Sequence, residues 1–422
     1  MAAEETTPEA PSTSTQLTRR TALGALGGLA VGAGAAVALP HRTPDRSPAA
    51  ASIPFDGEHQ PGIATPPQAH VYVLILDLST DTVNDLAKLL RVWSHAARRL
   101  MLGATATPPG PSHAPPTDPG EAAGLPPARL TLTFGLGPTL FERQGQDRMG
   151  LRHRMPAALR PLPPFRGEAL EDERSGGDLC IQACADDPQV AFHAAHSLAR
   201  AAAGVAVPRW SQQGFRETTS PDRTHRNLFG FKEGTRNIKS DNTNALRQHV
   251  WARETGPHKW MRNGSYLVVR QIRMLFDVWD LTTLDGQERA IGRHKHSGAP
   301  LTRKSDADPL DLDRSSATGE PAIPANAHVR LAAPQTNHGA RLLRRSYSTT
   351  NGIEPGTGQL NAGLLFLCYQ RDPQRQFVPI QHRLAANDAL NKHILHTGSA
   401  LFACPPGASR NGYIGKQLFE RE

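Results

Sequence analysis

Three residues in the second half of the chain combine acid, base and cationic chemistry. Residues 227–237 place the carboxylate of Glu233 between two glycines on a predicted turn, and His328 precedes Arg344 by sixteen residues. A carboxylate moves protons, a neutral imidazole ligates metal ions, and a guanidinium stabilises developing negative charge. A lone arginine or histidine is more often structural, and the spacing alone does not favour His328 over His338.

Widespread catalytic motifs are absent from the sequence. It has no zinc-protease histidine pair, no phosphate-binding loop, no nucleophile elbow and no calcium-binding loop. His193 with His196 and His393 with His396 are i, i+3 pairs on predicted helices, a spacing that suits metal ligation. Because the chain has 18 histidines, such pairs also arise by chance.

Seven short segments, in this order, resemble those of the dye-decolorising peroxidases. The resemblance covers residues 71–407 and is to the bacterial branch that is exported by the twin-arginine route and includes the deferrochelatase-type peroxidases. It implies an α+β fold in which two ferredoxin-like units form a dimeric α+β barrel. It also implies one haem b per chain, bound between the sheet and the helices of the C-terminal unit. The segments are residues 227–237, 260–266, 291–293, 327–332, 344–347, 363–366 and 396–402.

The resemblance assigns roles to individual residues of the haem site. His328 matches the proximal ligand of the haem iron, and Arg344 matches the distal arginine. Asp388 is the expected partner of the His328 N–H, although a carboxylate on a helix face is as often solvated. Arg236 and Arg330 are expected to bind the haem propionates.

Glu233 departs from the aspartate that the family carries at this position. There the carboxylate is thought to move a proton between the two oxygens of hydrogen peroxide. Glutamate offers the same base, with a reference pKa of about 4.3 against 3.9, but its extra methylene moves the carboxylate by about one bond. We expect Glu233 and Arg344 to be the catalytic pair, with Leu365 and Phe366 as the apolar wall of the distal pocket.

The elements that must position these residues form a repeated pattern. The first half gives the order β-α-β-β-α-β, which is the ferredoxin-like unit, and the second half repeats it more loosely. We predict an N-terminal ferredoxin-like unit at 69–225 and a C-terminal, haem-binding unit at 226–422. The elements of the first half are predicted at residues 71–76, 82–100, 129–134, 178–184, 188–204 and 205–207. Those of the second half are predicted at 265–273, 277–284, 341–347, 363–369, 381–395 and 400–403.

The first 68 residues indicate export followed by a tether. In residues 1–38, Arg19-Arg20 precedes a Gly/Ala-rich apolar run with a small-residue cleavage site, as in twin-arginine signals. Residues 39–68, rich in Pro, Ala and Ser, are predicted as a linker. The alternative, a membrane anchor, is disfavoured because the run is barely long enough and weakly hydrophobic. We expect the twin-arginine translocase as partner, a periplasmic or extracellular location and no stable membrane anchor.

Composition excludes several other classes of protein. In 422 residues, 20% are charged and 38% hydrophobic, which excludes wholesale disorder. The pI of about 9.6 is high, but Lys and Arg are scattered, so no nucleic-acid partner is expected. The four cysteines are predicted to be buried free thiols, with Cys180 and Cys184 on the same face of one strand.

Together these features predict a haem b peroxidase. It would use hydrogen peroxide to oxidise organic donors such as dyes and phenolics through a ferryl intermediate. The alternative is a haem-binding protein that stores haem or releases its iron, with incidental peroxidase activity. The family's self-associating barrel makes a homo-oligomer the expected assembly.

Overall fold

The structure, a computed structural model, describes residues 51–217 and 224–420 of the chain. The predicted signal peptide, residues 1–38, and the first part of the predicted linker, residues 39–50, lie outside the described residues. In the described ranges, no helix combines the length and the apolar character needed to cross a membrane.

Strands and helices alternate along the described chain much as the apolar patterns predict, with longer strands than expected. The strands are β1 (His70–Leu78), β2 (Thr131–Leu136), β3 (Leu179–Ala185), β4 (Ala206–Phe215), β5 (Ser265–Met274), β6 (Leu343–Arg344), β7 (Tyr347–Ile353), β8 (Leu360–Gln370) and β9 (Ile394–Cys404). The helices are α1 (Val83–Leu100), α2 (Pro138–Phe141), α3 (Pro188–Ala201), α4 (Thr243–His249), α5 (Phe276–Asp280), α6 (Leu284–Ile291), α7 (His328–Leu331) and α8 (Phe377–Asn387).

These strands form one antiparallel sheet in the order β5-β9-β2-β3-β1-β4-β7-β8-β6. Strand β5 pairs with β8 as well as with β9, and this extra pairing closes the sheet into a barrel. The strand order β2-β3-β1-β4 of the first half recurs as β7-β8-β5-β9 in the second. The predicted α+β class is confirmed at this level.

Alternation along each strand divides the apolar residues between two cores. Val73 and Ile75 of β1 belong to a cluster whose members come from strands all around the barrel, so this cluster fills its interior. Leu74 belongs to a second cluster that includes the buried face of α1. Cys180 and Cys184 both face the interior, and all four cysteines are buried and free, so both cysteine predictions are confirmed.

The second half differs from the predicted elements where polar caps intervene. The helix predicted at 381–395 ends at Asn387, because the Asp388 side chain accepts a hydrogen bond from the Leu390 N–H and starts a separate 3₁₀ turn. The strand predicted at 341–347 is interrupted between β6 and β7. A third apolar cluster, which includes Phe229, Phe231 and Trp279, packs α5 and α6 beside the sheet.

Residues 55–68 are not the linker that the sequence predicted. Phe55, Gln60 and Gln68 are buried. The Gln60 Nε2 donates to the carbonyls of Phe134 and Pro405, each at 2.9 Å. Composition predicted a linker because residues 39–68 are rich in Pro, Ala and Ser, but a few apolar and amide side chains of residues 55–68 fasten this part to the barrel.

Candidate functional site

A histidine and a buried carboxylate form one half of the site. His328 is the first residue of α7, and its Nδ1 lies 2.6 Å from Asp388 Oδ2. The other carboxylate oxygen accepts from the Leu390 N–H at 2.9 Å. Because both oxygens of Asp388 are fixed, the carboxylate sets the ring orientation of His328 and places the hydrogen on Nδ1.

Electrostatics around His328 suit a metal ligand. Burial works against a charged ring, but Asp388 outweighs it, and the pKa of His328 is raised. Arg344 lowers that pKa and Glu233 raises it, so both groups lie within electrostatic reach of the imidazole. Nε2 makes no hydrogen bond to any residue in the described ranges. The ring therefore presents one free nitrogen, made more basic by the carboxylate behind it.

Glu233 lies on a small hairpin whose turn needs glycine. Gly230 has a φ of +81°, in the left-handed region that side chains disfavour. The Asn227 Oδ1 accepts from the Phe229 and Phe231 N–H groups at 3.1 and 3.3 Å and holds the turn closed. The Asn227 Nδ2 donates to Glu233 Oε2 at 3.2 Å. The turn thus fixes both the backbone and one oxygen of Glu233.

Arg344 is brought to Glu233 by a side-chain clamp on its backbone. The Asn237 Nδ2 donates to the Arg344 carbonyl at 2.7 Å, and the Arg344 N–H donates to Asn237 Oδ1 at 2.9 Å. The guanidinium Nη1 then lies 3.8 Å from Glu233 Oε1, with the two side chains 30% and 15% exposed. Both groups remain reachable by a small solute. In the sequence, Asn237 is only the last residue of the segment 227–237, and no role was predicted for it.

The wall predicted from Leu365 and Phe366 is corrected by the strand geometry. Successive residues of β8 face opposite sides of the sheet. Leu365 belongs to the barrel interior, whereas Leu364 packs with the cluster of Phe229 that also includes Val329, the neighbour of His328. Leu364 therefore shares a face with Phe366, and Leu365 does not.

Several guanidinium groups converge near Arg344. Arg293 is buried, and burial together with the charges of Arg344 and Arg236 lowers its pKa to about 10. Arg330 donates through Nε and Nη2 to the carbonyls of Ile323 and Leu312 and ties that loop to α7. Arg236 is exposed, with Nη1 3.4 Å from the Ala307 carbonyl.

Haem, the group that the sequence resemblance implies, fits this donor set. A single imidazole with a free nitrogen and a carboxylate behind it is a normal axial ligand for iron. Arg293 is buried with Arg344 and Arg236 acting on it, and haem carries two anionic propionates that such a cluster of guanidinium groups suits. A cavity of about 360 Å³ lies between α8 and β9 and reaches Asp388, but His328, Glu233 and Arg344 do not line it.

The other histidine pairs do not form metal sites. His193 and His196 each hydrogen-bond a different oxygen of Glu121, at 2.7 and 2.5 Å. The Nδ1 atoms of His393 and His396 are buried and have no hydrogen-bond partner among residues 51–217 and 224–420. In the part of the chain that the structure describes, no three His, Cys, Asp or Glu side chains are grouped so as to hold a metal ion.

Comparisons with known proteins match the chain to one family. The family model described as Dyp-type peroxidase, N-terminal, matches residues 60–216, and the one described as Dyp-type peroxidase, C-terminal, matches residues 224–409. A dye-decolorizing peroxidase of Thermobifida fusca (strain YX) is 42% identical over 379 residues, which cover 86% of this chain and 84% of the relative.

Two further relatives match over most of their length. A deferrochelatase of Escherichia coli (strain K12) is 34% identical over 375 residues, covering 86% of each chain. The structure of ferric DtpA from Streptomyces lividans superposes with a TM-score of 0.81 at 42% identity, covering 89% of this chain and 99% of that one.

We expect Asp388→Ala to weaken haem binding by about 10- to 100-fold, because removing the carboxylate behind a metal-binding histidine frees its ring and lowers its basicity. Titration of the haem-free protein with haemin, followed by absorption, measures the change. Asp187→Ala is the matched control, because Asp187 caps α3 through the Gln189 and Val190 N–H groups at 2.8 and 3.1 Å. It should lower the free energy of unfolding by about 1 kcal/mol and leave haem affinity unchanged. Equal haem affinity in Asp388→Ala and the unaltered protein would contradict the assignment.

Proposed function

The chain belongs to the Dyp-type peroxidase family and is a haem peroxidase, and from that membership we propose how its own residues carry the reaction. The observation that supports the proposal is the mutual influence of two charged pairs, Glu233 with Arg344 and His328 with Asp388. When bound, haem supplies the redox chemistry by which hydrogen peroxide is reduced and organic donors are oxidised.

Glu233 moves the proton. Its carboxylate accepts a proton from hydrogen peroxide and returns it to the oxygen that leaves as water. Glu233 Oε2 is held by Asn227 at 3.2 Å, and Oε1 lies near Arg344. This hold limits the freedom that the extra methylene of glutamate would otherwise give the carboxylate.

Arg344 stabilises the negative charge that develops as the O–O bond breaks. Its guanidinium carries preorganised N–H donors, which need no reorientation during the step. The clamp from Asn237 fixes the backbone from which this side chain extends. Arg344 therefore acts from a fixed origin while its tip remains accessible.

His328 would hold the haem iron through Nε2, and Asp388 would accept its Nδ1–H. We assign haem b, one per chain, to this site. Arg236, Arg293 and Arg330 supply the positive charge that would balance the propionates, with Arg293 the most buried of the three. Phe366 and Leu364, on the outer face of β8, are the apolar side chains that we place beside the peroxide.

The same proposal includes the division of the fold into two repeated units. The strand order shared by the two halves supports two ferredoxin-like units, residues 69–225 and 226–422, that together form the dimeric α+β barrel. We also propose that the chain self-associates. Sedimentation velocity of the haem-loaded protein tests this self-association.

A second candidate function is release of iron from haem. It is favoured by the deferrochelatase similarity, which spans 86% of both chains. Glutamate in place of the family's aspartate also favours it, since a displaced base would slow peroxide activation more than haem binding. In this case the peroxidase activity would be incidental to storing haem or removing its iron.

Export by the twin-arginine translocase to the periplasm or the outside of the cell is proposed from residues 1–38. A protein exported in folded form can acquire its cofactor before it crosses the membrane.

We expect Glu233→Gln to slow the reaction of the haem-loaded protein with hydrogen peroxide by about 10²- to 10⁴-fold, because the amide cannot carry the proton. Arg344→Leu should slow it by about 10²- to 10³-fold through loss of charge stabilisation. Stopped-flow absorption measures both rates. Glu354→Gln is the matched control: Glu354 also pairs with an arginine, Arg273, at 3.0 Å. The assignment is wrong if Glu233→Gln reacts as fast as Glu354→Gln.

Incubation with haem separates the two functions. The peroxidase function predicts that peroxide-dependent oxidation of a phenolic donor exceeds release of chelatable iron by a wide margin, with the porphyrin left metallated. If the iron-free porphyrin accumulates at the rate of donor oxidation or faster, iron release is the function of the site.

Replacement of Arg19 and Arg20 by lysine should leave the precursor uncleaved inside the cell, because the paired arginines are the feature that the export machinery recognises. Cell fractionation of the producing bacterium measures the distribution. Arg42→Lys, beyond the apolar run, is the control and should be exported. Normal export of the double lysine variant would overturn the twin-arginine proposal.

A further inference from the structure

A histidine to which neither the sequence nor the proposed mechanism gives a role lies opposite Glu233. Arg226 and Lys232 form an antiparallel bridge, and the Glu233 N–H donates to the His225 carbonyl at 2.9 Å. In this register His225 and Glu233 are directly paired across the hairpin. Paired residues point to the same side, with Cβ atoms about 4.5–5.5 Å apart. The imidazole of His225 and the carboxylate of Glu233 therefore lie on the same side of the hairpin, and Glu233 acts on the pKa of His225, although no hydrogen bond joins the two side chains in the structure.

The tautomer of His225 is fixed by Arg216. The guanidinium of Arg216 lies with Nη2 2.7 Å from His225 Nδ1. Arginine can only donate, so Nδ1 must be the unprotonated, accepting nitrogen. The neutral ring then carries its hydrogen on Nε2. Nε2 makes no hydrogen bond to any residue within 51–217 or 224–420.

The charge state of His225 follows from its surroundings. The residue is buried at 8% exposure. Burial and the charge of Arg216 lower its pKa to about 4, against the opposing effect of Glu233, while Arg344 lowers it further. Above about pH 4 the ring is neutral, so it can accept from Arg216 and donate from Nε2 at the same time. Below that pH a proton on Nδ1 would break the contact with Arg216.

Arg216 is itself held in place from the barrel side. It follows β4, and its guanidinium carbon lies 5.8 Å from the centre of the Tyr347 ring. Burial lowers the pKa of Arg216, and Tyr347, Arg345 and Glu233 are among the groups that influence it. Arg216 thus connects the buried end of the barrel to the hairpin that carries the base.

We propose that His225 is a positioning residue for Glu233: its Nε2–H, which makes no hydrogen bond to the residues that the structure describes, donates to the carboxylate in the haem-loaded protein and so passes the fixed orientation of Arg216 on to it. This proposal rests on the proposed function of Glu233. Asn227, Arg344 and His225 would then hold the carboxylate from three directions. A glutamate, with one more rotatable bond than aspartate, needs such restraint more, because a misplacement of about 1 Å can cost about 100-fold in rate.

The test is a double-mutant cycle on the haem-loaded protein, with the rate of reaction with hydrogen peroxide as readout. His225→Leu should slow the reaction by about 10- to 100-fold. His225→Gln, which can still accept with its oxygen and donate with its nitrogen, should stay within about threefold of the unaltered rate. In the Glu233→Gln background, His225→Leu should have no further effect, because a positioning residue acts only through the group it positions.

Matched measurements separate this role from a structural one. His193→Leu removes another buried histidine that hydrogen-bonds a glutamate, Glu121, and should leave the rate unchanged. Haem content and melting temperature are recorded for every variant, and His225→Gln carries the test if His225→Leu does not fold. In that case a loss of tenfold or more in His225→Gln, also seen in the Glu233→Gln background, overturns the proposal.

A readout independent of activity is available in the haem-free protein. With ¹⁵N-labelled histidine at pH 7, His225 should give the signals of a neutral ring protonated on Nε2, assigned by their loss in His225→Gln. A ring protonated on Nδ1 would overturn the proposal. So would a cycle in which the losses from His225→Leu and Glu233→Gln multiply. If Glu233→Gln alone has no effect on the rate, the proposed role of Glu233 fails and His225 has no base to position.

Discussion

The site depends on a pair of hydrogen bonds between one amide side chain and one strand. The Asn237 side chain hydrogen-bonds both the carbonyl and the N–H of Arg344, as a neighbouring strand would. Without this clamp the direct link between Glu233 and Arg344 would be a 3.8 Å contact between partly exposed charges. Such a contact contributes little on its own. The backbone clamp therefore sets the geometry, and the charged pair operates within it.

Two groups of charged side chains lie around this clamp, one negative and one positive. On one side a buried carboxylate, Asp388, makes His328 a stronger ligand. On the other, Arg344, Arg293 and Arg236 raise the local positive charge, and the burial of Arg293 limits how far water screens its charge. Glu233 and His225 lie between these two groups of charged side chains. The barrel contributes rigidity, because β8 is bound by β5 on one edge and by β6 and β7 on the other.

The sequence predicted the fold class and the helices and strands of the first half well, because the 3.6-residue rhythm of α1 and the alternation of β3 reflect which faces are buried. His328, Glu233 and Arg344 came from a resemblance, since their side chains carry no local signal that separates them from His338 or other arginines. Leu365 and Phe366 were grouped as one wall by the resemblance, and the sequence of β8 does not show that they face opposite sides of the sheet, because a continuous apolar run does not reveal which residues face the interior. Residues 39–68 were predicted as a linker because composition records Pro, Ala and Ser but not the hydrogen bonds of Gln60. Asn237 acts by pairing with the backbone of Arg344, which is distant in sequence, and His225 by facing Glu233 across a hairpin. Both pairings exist only in the folded chain.

The most direct test of the central claim is a series of stopped-flow absorption traces of the purified, haem-loaded protein mixed with hydrogen peroxide in excess, at increasing concentrations. The ferric haem spectrum should be replaced in a single fast phase whose rate rises linearly with peroxide concentration. That result would mean that the site activates peroxide with Glu233 in the place of the family's aspartate. A bound haem whose spectrum does not respond to peroxide would contradict the peroxidase function, as would a purified chain that binds no haem.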